Sequence, residues 1–402
     1  MAMAHGETGV GSVPAASGPL KSVWMAPKLA FRNLFHDALS LAVTLTGIVF
    51  SVVLVAVQCG LYLGSEKTIA AVLDQVKADL WITPIGVKSF DDPAFLSGRE
   101  RFAVLSTPGV ATAEDLVVGF AAWRKPKGGA TAVVVVGSNW NQGGLQPWNI
   151  VRGNLETLAA PNTVAVDETY FTDLGVEGTD GVGSTAEING NRVTIGAVTH
   201  GIRSFTTLPY IFTSLNRAQT YLDAAPEQSS YVLVTVQPGH SIEEVRKYIA
   251  SRLPDVEVLG HHEFRKKSLD YWLFQTGAGS ALIAGMILGL IVGVVIVAQT
   301  LYASTKDHLN EFATLRALGA SAGYIHQVIL IQAMISAVVG YVLGMILSLI
   351  VVWAAEDTTM VVVMTKELAA GLFVITIGMC AIAAMSAIVK VTRIDPSGVF
   401  SR

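Results

Sequence analysis

"LYASTKDHLNEFATLRALGAS", residues 301–321, is a short charged piece set between two long apolar runs. Lys306, Asp307, Glu311 and Arg316 fall within it, whereas the runs on either side carry no charge over lengths that can cross a bilayer. A helix needs about 20 apolar residues to span about 30 Å of hydrocarbon. Four segments reach that length: 39–63, 278–302, 324–355 and 368–389. The quoted stretch, as a connector over 303–323, therefore joins the second span to the third.

Composition supports a membrane protein. The chain has 402 residues, of which 51% are hydrophobic and only 14% charged, and its mean hydropathy is positive. A formal charge of −4 gives no concentrated basic face, so nucleic-acid binding is not expected. Cys59 and Cys380 both lie in apolar runs, as small packing residues do, and suggest neither a disulfide framework nor a metal site.

Orientation follows from the flanking charges. Lys21, Lys28 and Arg32 precede the first span and Lys390 and Arg393 follow the last, while the 356–367 loop has Glu356, Asp357 and Glu367 against Lys366. The positive-inside rule then places both termini in the cytoplasm and residues 64–272 outside. Residues 1–20, rich in Ala, Gly and Ser, read as a disordered tail, 21–38 as an interfacial amphipathic helix, and 390–402 as a cytoplasmic tail.

Residues 64–272 read as an α+β domain inserted between the first and second spans. "ADLWIT", "LVVGFAAW", "TAVVVVGS" and "YVLVTV" are strand-like, and "KPKGG", "NQGG" and "NGNR" are turn signals between strands. "SIEEVRKYIASRLPDVEV" predicts a helix with Ser241 and Glu244 as a capping box and Ile242, Val245, Ile249 and Leu253 on one face. The "VEVLG" after it completes a strand, helix, strand unit.

The chain carries no phosphate-binding loop of the G-x-x-x-x-G-K-[ST] kind, so no nucleotide site or other cofactor is expected in it. No charge lies within the spans, which disfavours an ion-coupled carrier. His261, His262 and Glu263 are consecutive on a helix, point apart and lack further ligands at useful spacing, so no metal site is expected. Nothing places a base beside Ser204, and no catalytic residue is assigned. Gly285, Gly289 and Gly293 in the second span, and Gly340 and Gly344 in the third, form strips that let another helix approach closely. The strips could mate within one subunit or across a dimer.

Within the connector, Leu309, Phe312, Ala313 and Arg316 fall along one helical face, Leu315 and Leu318 lie beside it, and Gly319 is a natural stop. Such a helix suits a lever for a soluble partner or a connector lying on the headgroups.

At this point "NEFATLRALGAS", with one large outer domain between the first and second of four spans, resembles the MacB/FtsX-type permeases of ABC systems. "IVGVVIVAQTLYASTKDHLNEFATLRALGA" is most similar to the DevC-type exporter permeases. The resemblance extends to "AFRNLF", "TVAVDETYFTDLGV", "GIRSFTTLPYIFTSLNRA" and "DPSGVF".

It implies a non-catalytic inner-membrane subunit, paired with a second copy of itself and with a separate cytoplasmic ATPase that holds the ATP and magnesium. It assigns the coupling role to Glu311, Phe312, Thr314, Leu315, Arg316, Ala317, Leu318 and Gly319. In exporter members it also implies a periplasmic adaptor and an outer-membrane channel, with mechanical transmission moving a lipid, glycolipid or other hydrophobic cargo. Lipoprotein release, or FtsX-like regulation of a cell-wall hydrolase, are the alternatives within the resemblance.

Overall fold

A computed structural model describes residues 38–140, 143–178, 180–307, 314, 322–356 and 358–392. The tail at 1–20 and residues 21–37 of the interfacial helix expected at 21–38 lie outside them, as do residues 393–402, while Ala38 opens the first long helix. The chain divides into two compact units, one of Met1–Ala56, Ile287–Ser348 and Lys366–Arg402, the other of Val57–Met286 and Leu349–Thr365.

Four long apolar helices are α1 (Ala38–Ile69), α8 (Ala278–Asp307), α9 (Ala322–Ala355) and α10 (Lys366–Thr392). Each is long and apolar enough to cross a membrane. They run past the apolar segments read from sequence, α1 by six residues to Ile69 and α8 by five to Asp307, because neither "GSEKTI" nor "ASTKD" contains a proline and the single Gly64 costs a helix only about 1 kcal/mol. In the first unit Ile48, Val52, Val297, Val328, Ala333, Ala337, Cys380 and Ala384 form the buried centre. Small residues dominate the α10 share of it, which suits close backbone approach.

The second unit is built on a mixed sheet. Its strands are β1 (Leu80–Pro84), β2 (Val110–Arg124), β3 (Ala130–Ser138), β4 (Ile150–Gly153), β5 (Thr163–Asp167), β6 (Thr185–Ile188), β7 (Asn191–Thr199), β8 (Tyr210–Ser214), β9 (Tyr231–Val236) and β10 (Val256–Gly260). The order is β10-β1-β9-β2-β3-β8-β5-β7-β4, and β6 pairs with β2 and β7. Among the described residues, β3 with β8 and β5 with β7 are the pairs that run in parallel. Helices α2 (Arg99–Leu105), α3 (Leu155–Leu158), α4 (Phe171–Leu174), α5 (Leu215–Tyr221), α6 (Ile242–Arg252) and α7 (His261–Asp270) complete the unit.

The strand-like runs quoted above become β1, β2, β3 and β9, and "VEVLG" becomes β10. Both β9 and β10 pair antiparallel with β1, so the strand, helix, strand unit is split by an inserted strand. Helix α6 starts after Ser241, but that side chain makes no capping bond, so the expected capping box is absent. Val245 and Ile249 are buried and Ile242 is exposed, which narrows the predicted apolar face. The carboxylate cap forms one helix later, where Glu263 Oε2 accepts from the Gly260 N–H at 2.9 Å at the start of α7.

Candidate functional site: the coupling elements

The connector between α8 and α9 is the segment for which the family resemblance implies the ATPase contact. Glu311, Phe312, Leu315, Arg316, Ala317, Leu318 and Gly319 lie outside the described residues. Thr314 is helical and exposed. On the α8 side, Thr305 is buried and donates to the Leu301 carbonyl at 2.6 Å, while Lys306 and Asp307 are exposed.

Both glycine strips face α1 of the same chain. A Cβ on Gly289 would stand 3.0 Å from Leu54 Cδ2, and one on Gly293 would meet Ser51 and, at 2.6 Å, Met379 Sδ. The Ser51 hydroxyl donates to the Gly289 carbonyl at 2.9 Å, a buried bond between two apolar helices. On α9, a Cβ on Gly340 would stand 2.5 Å from Ile48 Cγ2 and one on Gly344 2.8 Å from Val52 Cβ. In the second unit, a Cβ on Gly285 would lie 2.7 Å from Gln58 Nε2. Helix α1 is thus held between α8 and α9 at backbone-contact distance.

Within the second unit two helical rods are attached, the end of α1 to the 349–365 segment and α7 to the sheet itself. The first is the end of α1. Its Gly60 carbonyl accepts from Val363 N–H at 3.0 Å, and Gly64 leaves no room for a Cβ against the Val361 main chain. The same 349–365 segment is tied to the β7–β8 loop, where the Arg203 guanidinium donates to the Glu356 carbonyl.

The second rod is α7. Phe264 is fully buried against Trp81 and Tyr231, with ring centroids 5.1 and 5.6 Å apart. Ser268 accepts from Phe90 N–H at 3.3 Å, and Arg265 pairs with Asp74 at 2.8 Å. Helix α7 then passes into a π-helical turn, Tyr271–Gln275, before Gly277 (φ +84°) redirects the chain into α8. A π turn is a local irregularity that shifts helix phase and recurs at functional places. The left-handed backbone at position 277 is one that glycine adopts without strain.

Asp91 anchors the loop under α7. It is fully buried and accepts from the Tyr210 hydroxyl at 2.7 Å. Burial pushes its carboxyl up to about 6, with the Tyr210 bond acting in the opposite direction. His261 and His262 do not diverge as expected: their rings meet edge to face with centroids 5.6 Å apart at the start of α7. Ser204 is buried and shares a hydrogen bond with Thr206 Oγ1 at 2.9 Å.

The sequence reading did not single out Gly60, Gly64 or the Arg203–Glu356 tie. The four-residue spacing of "GLYLG" was a usable signal for the first two. The tie runs from a side chain to a main-chain carbonyl between residues 153 apart and leaves no local pattern.

Residues 41–252 match the family model described as MacB-like periplasmic core domain, and residues 283–396 match that described as FtsX-like permease C-terminal. No curated protein matches. Among solved structures, similarity is found to the extracellular domain of the noncanonic ABC-type transporter YknZ from Gram-positive bacteria, at 13% identity and TM-score 0.34, over 46% of this chain and 99% of that one. Similarity is also found to the periplasmic region of MacB from Actinobacillus actinomycetemcomitans, at 10% identity and TM-score 0.36, over 50% of this chain and 96% of that one. A domain of a putative permease from Porphyromonas gingivalis matches at 13% identity and TM-score 0.30, over 46% and 89% of the two chains.

Proposed function

This chain belongs to the MacB/FtsX-type permeases, membrane subunits that work with ABC ATPases, and from that premise we propose that it converts ATP-driven motion of a separate cytoplasmic ATPase into movement of its outer domain. The observation that carries the reading is a pair of attachments in the second unit. Helix α7 is fixed to the sheet by the buried Phe264 and runs on through the π turn into α8, and the end of α1 is fixed by close main-chain contacts to the 349–365 segment, which Arg203 ties to the β7–β8 loop. Close-packed helices shift between discrete arrangements rather than deform continuously, so displacement at one end is delivered at the other.

In this account the chain acts as a homodimer in the inner membrane with both termini cytoplasmic. The cargo is a lipid, glycolipid or other hydrophobic molecule taken up outside the membrane and passed to a periplasmic adaptor and an outer-membrane channel. The connector carrying Phe312 and Leu315 is the ATPase contact. Truncating one buried interface anchor costs about 2 kcal/mol or more, against much less for a rim charge. Phe312→Ala or Leu315→Ala should therefore lower recovery of the ATPase in pull-down from native membranes about thirtyfold or more and abolish transport. Protease resistance of the outer domain should stay unchanged. Full ATPase recovery and full transport in both variants would contradict the assignment.

A further inference from the structure

A cavity of about 440 Å³ in the second unit is lined by Lys67, Thr68, Asp74, Gln75, Trp148 and Arg203, with Val361 forming part of its wall. We propose that it binds the anionic phosphate headgroup of a bilayer lipid from the leaflet facing the outer domain. This goes beyond the proposed function, because it holds whichever cargo is moved.

Depth is the first argument. The apolar run of α1 ends near Leu63, and Lys67 lies four residues further along the same helix. At about 1.5 Å rise per residue that is roughly 6 Å. The headgroup layer extends about 5–8 Å beyond the hydrocarbon on each side. Lys67 therefore falls in the phosphate layer.

Charge is the second argument. Among the described residues, no carboxylate lies within ion-pair distance of Lys67 or Arg203. The acid on the cavity wall, Asp74, is already neutralised by Arg265 at 2.8 Å. Glu66, next to Lys67 on α1, projects about 100° around the helix and is not part of the lining. Arg203 donates to the Glu356 carbonyl, a neutral acceptor, and its buried Nε has no partner. A guanidinium held in this way keeps its full charge and has donors to spare for a phosphate. Thr68, Gln75 and Asn149 add polar side chains, and Trp148 adds an amphipathic ring suited to the interface.

The test uses the full-length chain in detergent, mixed with phosphatidylglycerol or phosphatidylcholine, with bound lipid counted by native mass spectrometry. The wild type should retain phosphatidylglycerol in preference to phosphatidylcholine. Each lost cation should lower that retention about fivefold, so Lys67→Gln and Arg203→Gln should both show it. Arg203→Lys, which keeps the charge, should retain most of the preference and guards against a folding defect at that position. Lys306→Gln removes an exposed cation at the other end of α8 and should behave as wild type.

Four results would overturn the proposal. One is equal retention of the two lipids by the wild type, and a second is undiminished phosphatidylglycerol retention in both Gln variants. The third is displacement of phosphatidylglycerol by inorganic phosphate at equal concentration, which would mark a site for free anions. A loss in Lys306→Gln as large as in Lys67→Gln would also overturn it, by showing a general effect of net charge.

Discussion

Gly344 and Gly378 both lie within long apolar helices, yet their surroundings make opposite demands. A Cβ at Gly344 would stand 2.8 Å from Val52 Cβ, an atom that cannot swing away, whereas nothing lies within 4 Å of a Cβ at Gly378. Gly344→Leu should therefore destabilise the helix assembly by about 1–3 kcal/mol through overpacking. Gly378→Leu should be neutral or slightly stabilising, since it gains helix propensity. Thermal unfolding of both variants in one detergent separates these outcomes, and equal midpoints would show that the strip does not hold α1 as described. Asp91 makes a different residue-scale prediction. Its carboxyl is raised from an ordinary 3.8 to about 6 in the folded protein, so the folded state holds the proton more tightly than the unfolded chain does. The stability this contributes is complete below the unfolded value and is lost as pH rises through about 6. A shift of that size is worth at most about 3 kcal/mol. The difference in unfolding midpoint between wild type and Asp91→Asn should accordingly change over that interval in favour of Asn at the higher pH. A pH-independent difference would contradict the buried-acid account.

At the scale of elements, α7 is the part whose role is most exposed to test. Phe264 is its only described side chain seated in the Trp81, Phe90 and Tyr231 cluster, and it is fully buried. Phe264→Ala should cost about 3–5 kcal/mol. The loss should appear in hydrogen exchange as faster exchange over residues 261–275, with α6 less affected. Unchanged protection of 261–275 would show that α7 is held by its polar contacts instead. Much of this architecture was legible in the sequence. Lipid leaves a spanning backbone only internal hydrogen bonds, so long apolar runs had to be helices. The runs that became β1, β2, β3 and β9 were continuous enough to read as strands. The four-residue β4 was not, because its pairing with β7 is set by a partner remote in sequence, and β6 was marked only by the NGNR turn that joins it to β7. The π turn at Tyr271–Gln275 follows no apolar period, and Ser241 looked like a cap although its side chain makes no such bond. The glycine strips were visible as spacing, but their common partner α1 became identifiable only from the packing. Most of the connector's assigned residues remain defined by sequence resemblance.

For the whole molecule, the account depends on motion arriving at the outer domain when ATP binds elsewhere. The close approach of α1 to α8 and α9 at glycines, and a sheet packed against α7, suit transmission of motion in this proposal. The most direct measurement places a spin label at Ala225→Cys, an exposed position on the outer domain. Cys59 and Cys380 would be replaced by alanine and the chain reconstituted with its ATPase. Pulsed dipolar spectroscopy should then give an interprotomer distance distribution that changes between ATP-bound and ADP-bound states. The change should vanish when Phe312→Ala removes the coupling contact. An identical distribution in both nucleotide states, in a complex that hydrolyses ATP, would contradict force transmission through this chain.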